Sequence, residues 1–140
     1  MKLTCTRRLQ FCAGHRVVGH ENKCANLHGH NWVAYITAEA EQLDEIGRIV
    51  DFSVLKARYG DWIDRHWDHG MILFIGDPWL RAIRDTPLET KVYEVDFNPT
   101  SENLAECLLQ MGSTLMDGTA VKITKVVLFE TENCSSEATA

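Results

Sequence analysis

Alternating apolar and polar residues predict β-strands near both ends of the chain. From Leu3 to Phe11, apolar residues occupy every second position except position 7, which predicts a first strand within residues 2–13. From His30 to about residue 41, aromatic and β-branched residues predict a second strand that pairs with the first. The clearest strand pattern spans residues 121–129. Its predicted apolar face comprises Val121, Ile123, Val127 and Phe129.

Apolar residues at helical spacing predict two long helices. The first begins after Asp51 or Ser53, since either side chain can cap free backbone N–H groups, and it ends near Gly70. The second follows the helix-start signal at residues 98–103 and runs to about Gly118. Their apolar positions are Phe52, Leu55, Tyr59, Trp62, Ile63 and His66 in the first helix, and Leu104, Leu108, Met111 and Leu115 in the second.

Shorter elements fill the region between the two helices. Residues 71–75 and 92–97 have strand patterns, and Pro78 favours the first turn of a short helix. The small polar residues from about position 133 to 140 predict a flexible tail. Because strands and helices do not alternate regularly, the order favours an α+β fold, with one domain over residues 1–140.

Composition narrows the function classes. The 140 residues are 45% hydrophobic, which suffices for one core, and the net charge of −6 argues against sequence-independent nucleic-acid binding. There is no signal-peptide core and no run of about 20 apolar residues, so we expect no membrane span. Five cysteines without a CxxC pair indicate free thiols in a reducing compartment, and we expect a cytoplasmic location.

The segment Cys24-Ala-Asn-Leu-His28-Gly-His30 contains the first candidate chemistry. In an extended chain, His28 and His30 point to the same face, about 6 to 7 Å apart along the strand. Two imidazoles in this arrangement can share a metal ion. Gly29 between them lets a ligand or another backbone approach closely.

A third histidine lies at the end of the first predicted strand. If the first two strands form a hairpin, His15 comes near His28 and His30. Three neutral imidazoles with one open position are typical of a catalytic zinc site, whereas structural zinc usually has four protein ligands. A structural metal site, and a binding module without catalysis, remain alternatives.

Seven motifs together resemble the 6-pyruvoyltetrahydropterin synthase family. They cover residues 1 to about 132, in the order and approximate spacing of that family. The three residues between Cys24 and His28 resemble the bacterial branch, the 6-carboxytetrahydropterin synthases of queuosine biosynthesis. The motifs are Phe11-Cys12-Ala13-Gly14-His15, Cys24, His28-Gly29-His30, Val50-Asp51-Phe52, Asp68-His69, Pro99-Thr100-Ser101-Glu102-Asn103 and Glu130-Thr131.

The resemblance implies a role for each matching residue. It makes His15, His28 and His30 zinc ligands, Cys24 the general base, and Asp68 and His69 a proton relay whose members can come from different subunits. It makes Glu130 the carboxylate that binds the pterin ring, with Thr100 and Glu102 as further substrate contacts. Thr100 and Glu102 also have an alternative role in capping the second long helix. We also consider Arg16 and Lys23 as contacts for a substrate triphosphate.

The resemblance further implies a fold, an assembly and a reaction. The fold is the α+β tunnelling fold, an antiparallel sheet with two long helices on one face. The assembly is a homohexamer formed as a dimer of trimers. The reaction is a zinc-dependent conversion of 7,8-dihydroneopterin triphosphate to 6-carboxy-5,6,7,8-tetrahydropterin, with release of acetaldehyde and triphosphate. The enzyme alternatives are triphosphate elimination to 6-pyruvoyltetrahydropterin and side-chain cleavage as an aldolase.

Overall fold

The computed structural model describes residues 1–140, which form one six-stranded sheet and several helices. The strand order across the sheet is β4-β3-β1-β2-β5-β6. The strands are β1 (Cys5–His15), β2 (His28–Ala40), β3 (Gly70–Phe74), β4 (Val92–Val95), β5 (Val121–Thr131) and β6 (Cys134–Thr139).

Both predicted long helices are present, and each is interrupted. The first consists of α1 (Phe52–Leu55), a π-helical turn (Lys56–Gly60) and α2 (Asp61–His66). The second consists of α4 (Ser101–Gln110) and α5 (Gly112–Leu115), and the short helix α3 (Pro78–Asp85) lies between them in the chain. The side chains of Asp51, Asp77 and Thr100 cap the starts of α1, α3 and α4, which satisfies backbone N–H groups that have no partner inside the helix.

The sheet is mixed, so the expectation of an antiparallel sheet is wrong in part. Strands β1 and β2 form the predicted antiparallel hairpin, and β5 and β6 continue the antiparallel pairing. Strands β3 and β4, however, pair in parallel with β1 and with each other. This pairing is possible because the first long helix and α3 supply the long crossover connections that parallel strands require.

One hydrophobic core lies between the sheet and the two long helices. Alternate residues of β1, β2 and β5 face it, and the helices contribute Leu55, Tyr59, Ile63, Leu104 and Leu108. Both long helices therefore pack on one face of the sheet, as predicted. Tyr59 is fully buried and donates its hydroxyl proton to the Leu108 carbonyl (2.9 Å), which links the two helices directly.

A β-bulge changes the predicted face of β5. The register with β2 shifts between the pairs Thr37↔Lys125 and Ala38↔Ile123, so β5 contains one extra residue there. Beyond the bulge, Val126 and Leu128 are buried, whereas Val127 and Phe129 are not. The predicted shared face of Val121, Ile123, Val127 and Phe129 is therefore wrong, because strict alternation does not hold across a bulge.

The prediction of a flexible C-terminal tail is also wrong. Residues Cys134–Thr139 form β6, which pairs antiparallel with β5 after a tight turn at residues 132–133. The Ser136 hydroxyl is hydrogen-bonded to that of Ser101 in α4 (2.7 Å). Backbone pairing thus orders a segment whose small polar side chains predict a flexible tail. None of the helices is long and apolar enough to cross a membrane.

Candidate active site

The β1–β2 hairpin brings the three candidate histidine ligands together. His15 lies directly opposite His28, and His30 lies opposite Ala13, two residues before His15. All three side chains point to the core face of the sheet. The centroid of the His15 ring lies 4.6 Å from that of His28 and 5.3 Å from that of His30. The hairpin geometry predicted from the sequence is therefore present.

Backbone carbonyls fix the orientation of two of these rings. Nδ1 of His15 lies 2.7 Å from the carbonyl oxygen of Pro99, and Nδ1 of His28 lies 2.7 Å from that of Asn26. A carbonyl only accepts hydrogen bonds, so each Nδ1 carries the proton and donates it. In the neutral imidazole, Nε2 then has a free lone pair, which is the form that binds a metal.

Glu130 extends the cluster from the neighbouring strand. The bulge in β5 turns its side chain to the core face, where Oε1 lies 3.2 Å from His15 Nε2 and 3.5 Å from His30 Nε2. One ligand atom from each of His15, His28, His30 and Glu130 lies within 4.8 Å of all the others. Three imidazole nitrogens and one carboxylate oxygen therefore converge on one point.

The point where these four ligand atoms converge suits a cation, because the rings of His15 and His30 are neutral there. Burial lowers the pKa of His15 to about 4, against a smaller opposing effect of its hydrogen bond to Pro99. Burial also lowers the pKa of His30. Near neutral pH both rings are neutral, and Nε2 of each is buried without a hydrogen-bond partner. A neutral Nε2 facing a carboxylate oxygen is unfavourable unless a cation lies between them, so the residues fit a metal ion.

Cys24 lies outside this cluster, in the loop between β1 and β2. It forms part of a single 3₁₀ turn (Lys23–Ala25), and its side chain is half-buried. Its carbonyl accepts a hydrogen bond from the Val17 backbone N–H (2.9 Å), which joins the two sides of the loop. The structure therefore places Cys24 on the segment that leads into His28, but it does not include the thiol in the group of converging ligand atoms.

Asp68 and His69 form a hydrogen-bonded pair in the turn between α2 and β3. Oδ2 of Asp68 lies 2.8 Å from Nδ1 of His69, and Oδ1 accepts from the Cys12 backbone N–H (2.9 Å). His69 is the one non-glycine residue with positive φ (59°), and its side chain is 78% exposed. His69 also lines an open cavity of about 350 Å³ together with Cys12, His30 and Asn31.

The Asp68 carboxylate is held in its charged form. Partial burial acts to raise its pKa, but hydrogen bonds from the Cys12 N–H and from His69, with the nearby Lys91 ammonium, lower the pKa overall. Lys91 also donates to the carbonyls of Asp64 (2.8 Å) and Asp68 (2.6 Å), which fixes the turn. An anionic carboxylate can orient the imidazole of His69 through its hydrogen bond to Nδ1.

Comparison with known proteins gives the family. Residues 4–140 match the family described as 6-pyruvoyl tetrahydropterin synthase. The chain belongs to this family. It is 41% identical over 136 residues to the 6-carboxy-5,6,7,8-tetrahydropterin synthase of Rickettsia bellii, which covers 96% of this chain and 99% of the relative. It is 30% identical to the protein of the same name from Aquifex aeolicus, with 98% of each chain covered.

Solved structures show the same fold. An uncharacterized protein from Wolinella succinogenes superposes with a TM-score of 0.86 at 22% identity, covering 99% of this chain and 98% of its own. The 6-pyruvoyl tetrahydropterin synthase of Caenorhabditis elegans superposes with a TM-score of 0.70 at 23% identity, covering 99% and 95%. The resemblance described from the sequence is thus confirmed, as are the α+β tunnelling fold and the expectation of an enzyme of this family.

Two residues of the 6-pyruvoyl tetrahydropterin synthase motifs have structural roles here. Thr100 caps α4 by accepting from the Asn103 N–H (3.2 Å), and Glu102 is exposed and accepts from the Ser136 hydroxyl (3.2 Å). Neither belongs to the histidine cluster. Their substrate contacts remain predictions.

The groups that orient His15 and His28 are backbone carbonyls, which the sequence does not reveal. The carbonyls of Asn26 and Pro99 leave no signal in side-chain type, because every residue has a carbonyl. The Arg16 side chain is 14% exposed and pairs with the buried Asp77. The contacts of Arg16 and Lys23 with a substrate triphosphate remain predictions.

Proposed function

We propose that this chain converts 7,8-dihydroneopterin triphosphate and water to 6-carboxy-5,6,7,8-tetrahydropterin, acetaldehyde and triphosphate. Relatives that match nearly its full length at 37–41% identity are named for the formation of this product. The observation that carries the proposal is the convergence of three imidazole nitrogens and a carboxylate oxygen, two of the nitrogens being buried without a partner.

The metal in this proposal is zinc, held by His15, His28 and His30. Three imidazoles with an open position are the ligand set of a catalytic zinc. Bound there, the ion supplies Lewis-acid stabilisation of the negative charge that develops on the substrate side chain. The protein contributes neutral, oriented rings, since Pro99 and Asn26 hold the Nδ1 protons of His15 and His28.

Cys24 removes the proton in this scheme, and the Asp68–His69 pair returns one. The thiolate is the form of a cysteine side chain that can accept a proton. The exposed His69 ring, oriented by the anionic Asp68, suits a donor that must reach a bound substrate. Asp68 keeps its position through the Cys12 N–H and the Lys91 ammonium.

Glu130 binds the pterin ring in this scheme. A carboxylate can accept two parallel N–H bonds from the 2-amino-4-oxopyrimidine edge. Glu130 and His30 line an open groove of about 630 Å³, a volume typical of small-molecule sites. Tyr35 and Phe129, with ring centroids 5.9 Å apart, line the same groove from the opposite face of the sheet.

We infer that the chain forms a homo-oligomer, a hexamer built as a dimer of trimers, and acts in the cytoplasm. Strands β4 and β6 are the outer strands of the sheet, so their free backbone groups are available to a neighbouring chain. All five cysteines are free thiols, as a reducing compartment maintains them. Light scattering of the purified protein tests the subunit number.

The decisive experiment incubates zinc-loaded protein with 7,8-dihydroneopterin triphosphate and identifies the products by mass spectrometry. We expect the 6-carboxy product and acetaldehyde. A 6-pyruvoyl product would instead indicate triphosphate elimination, and a free 6-hydroxymethyl pterin would indicate an aldolase. Absence of turnover with any dihydroneopterin would contradict a catalytic function.

Cys24→Ala tests the proposed base. We expect loss of turnover with unchanged zinc content, because the thiol lies outside the ligand cluster. Cys134→Ala is the matched control, since Cys134 is an exposed cysteine on β6. Wild-type turnover in Cys24→Ala would exclude this thiol as the base.

A further inference from the structure

The loop that carries Cys24 is held in place by the side chains of Arg16 and Asn98, which lie outside the 3₁₀ turn that contains Cys24. Residues 16–27 connect β1 to β2 and contain no regular structure longer than the 3₁₀ turn at Lys23–Ala25. A base must be held near the carbon that it deprotonates, so a loop of this length needs additional attachments. The hydrogen bond from Val17 N–H to the Cys24 carbonyl joins the two sides of the loop but does not attach it to the sheet or helices.

Arg16 supplies the first attachment. Its Nε donates to Asp77 Oδ2 (2.6 Å), and its Nη1 donates to the carbonyl of Ala25 (2.8 Å), the residue after Cys24. Asp77 is buried, and its other oxygen accepts from the Trp79 N–H at the start of α3 (2.9 Å). The planar guanidinium thus links the 3₁₀ turn to α3 by two donors of fixed relative geometry.

Asn98 supplies the second attachment. Its Oδ1 accepts from the Val18 N–H (2.9 Å), and its Nδ2 donates to the Val18 carbonyl (2.9 Å), so the amide pairs with both backbone groups of one loop residue. The carbonyl of Asn98 in turn accepts from the Thr100 N–H and from Asn103 Nδ2 at the start of α4. The next residue, Pro99, holds His15.

We propose that Arg16 and Asn98 are positioning residues that set the Cys24 thiol relative to the histidine cluster. The inference rests on the proposed role of Cys24 as the base. Arg16 acts on the Cys24 side of the loop and Asn98 acts on the His15 side, and the Val17–Cys24 hydrogen bond joins the two sides. Both residues act through the loop backbone and not by contact with reacting atoms.

Arg16→Lys is the first test. Lysine keeps the positive charge beside Asp77, but its single ammonium group cannot reproduce the two donors of fixed relative geometry that the guanidinium provides. In zinc-loaded full-length protein, we expect kcat to fall about 10-fold to 100-fold, as expected for a catalytic group displaced by a fraction of an ångström to 1 Å. KM should stay within about threefold of wild type, and zinc content should not change. Arg84→Lys is the matched control, since the Nε and Nη2 of Arg84 both donate to Glu94 away from the site.

A readout independent of turnover is the alkylation rate of Cys24 by iodoacetamide, followed by site-resolved mass spectrometry. Because the thiol is half-buried in a held loop, we expect alkylation to be about fivefold faster in Arg16→Lys, since reactivity follows exposure. The exposed Cys134 is the internal reference and should react at the wild-type rate. Wild-type alkylation of Cys24 in Arg16→Lys would overturn the positioning role of Arg16, even if kcat were lower.

Asn98→Asp gives a second, independent test. Aspartate retains the acceptor for the Val18 N–H but replaces the donor to the Val18 carbonyl with an acceptor. We expect the same pattern of lower kcat, retained zinc and faster Cys24 alkylation. If Cys24→Ala keeps full turnover, the proposed base is wrong, whereas the alkylation rates still decide whether these side chains hold the loop. Wild-type alkylation in both variants refutes the positioning role.

Discussion

The two histidine-containing regions of the candidate site are built in opposite ways. The ring of His15 is buried in a strand pair, its Nδ1 is fixed by a backbone carbonyl, and its pKa is far below the usual value. The ring of His69 is largely exposed, lies in a turn with positive φ, and is paired with a carboxylate that is held in its charged form. The arrangement at His15 suits binding a cation through the lone pair of Nε2, and the arrangement at His69 suits the transfer of a proton.

The difference shows how one side-chain type supports two chemistries in a single chain. Burial is the largest effect at His15: it lowers the pKa of the ring to about 4, against a smaller opposing effect of the hydrogen bond to the Pro99 carbonyl. That hydrogen bond fixes the proton on Nδ1, so Nε2 of the neutral ring has a free lone pair. The exposed ring of His69 is oriented instead by the charged carboxylate of Asp68.

The largest predicted effect separates the two regions by single substitutions. His28→Ala should lower zinc affinity by more than about 100-fold, because even loss of a hydrogen-bond partner of a ligand costs 10-fold to 100-fold. His69→Asn should keep wild-type zinc affinity and lower kcat by about 100-fold or more, as for loss of a general acid. Asparagine tolerates positive φ, so the backbone of the turn is retained.

Zinc affinity by chelator competition, together with kcat, checks this prediction. Loss of zinc in His69→Asn would show that the two regions are not separate. His66→Asn is a control histidine substitution, since His66 packs against Trp62 and Tyr93 outside both regions.

The second prediction tests whether Glu130 binds the substrate or the metal. If it binds the pterin through charged hydrogen bonds, Glu130→Gln should raise KM about 10-fold to 100-fold while zinc affinity changes little. Glu132→Gln is the matched control, because Glu132 lines the same groove without belonging to the histidine cluster. A large loss of zinc affinity at unchanged KM would instead identify Glu130 as a fourth protein ligand.

The third prediction uses pH to sharpen the comparison in metal-free protein. Between pH 6.5 and about 4 the unfolded chain binds a proton at His15 that the folded chain does not. The free energy of unfolding should therefore fall by about 3 kcal/mol as the pH decreases through this range, and the contribution is fully present above pH 6.5. The lowered pKa of Asp68 acts only below its ordinary value of 3.8.

Urea unfolding at several pH values measures this dependence. His15→Gln removes the titrating ring at similar size, so its stability should depend much less on pH in that range. An equal pH dependence in His15→Gln and wild type would contradict the assignment to His15. His30, whose pKa burial also lowers, contributes in the same direction in both proteins.

The smallest predicted effect concerns the helix start that supports the buried region. Thr100→Ala should lower the free energy of unfolding by about 1 kcal/mol, because it removes the cap of α4. Thr100→Ser should retain most of that stability. Urea unfolding and KM are both measured. An increase in KM in both variants without loss of stability would indicate that Thr100 contacts the substrate instead.

The histidine cluster was predictable from the sequence for a specific physical reason. Side chains alternate along a strand, so His28 and His30 must share a face, and a hairpin of the first two strands brings His15 opposite. The starts of the helices were predictable as well, because Asp51, Pro78 and Thr100 carry local capping and turn signals. These features depend on residues close in sequence or on one hairpin.

The remaining features depend on contacts between distant residues. The parallel pairing of β3 with β1 depends on how the intervening helix returns the chain to the sheet. Strand β6 has little apolar pattern, and its order comes from backbone pairing with β5. The attachments at Arg16 and Asn98 join residues 61 and 80 positions apart, to Asp77 and Val18 respectively. Local patterns carry no information on such pairings.

The bulge in β5 makes the number of residues in that strand a condition for the site. With one residue fewer between Ile123 and Glu130, the pleat would carry the glutamate side chain to the opposite face, away from the three histidines. Substitutions at Thr124 leave that count intact, whereas a deletion there does not. Insertions and deletions within β5 therefore act on the candidate site at a distance, even where every site residue is retained.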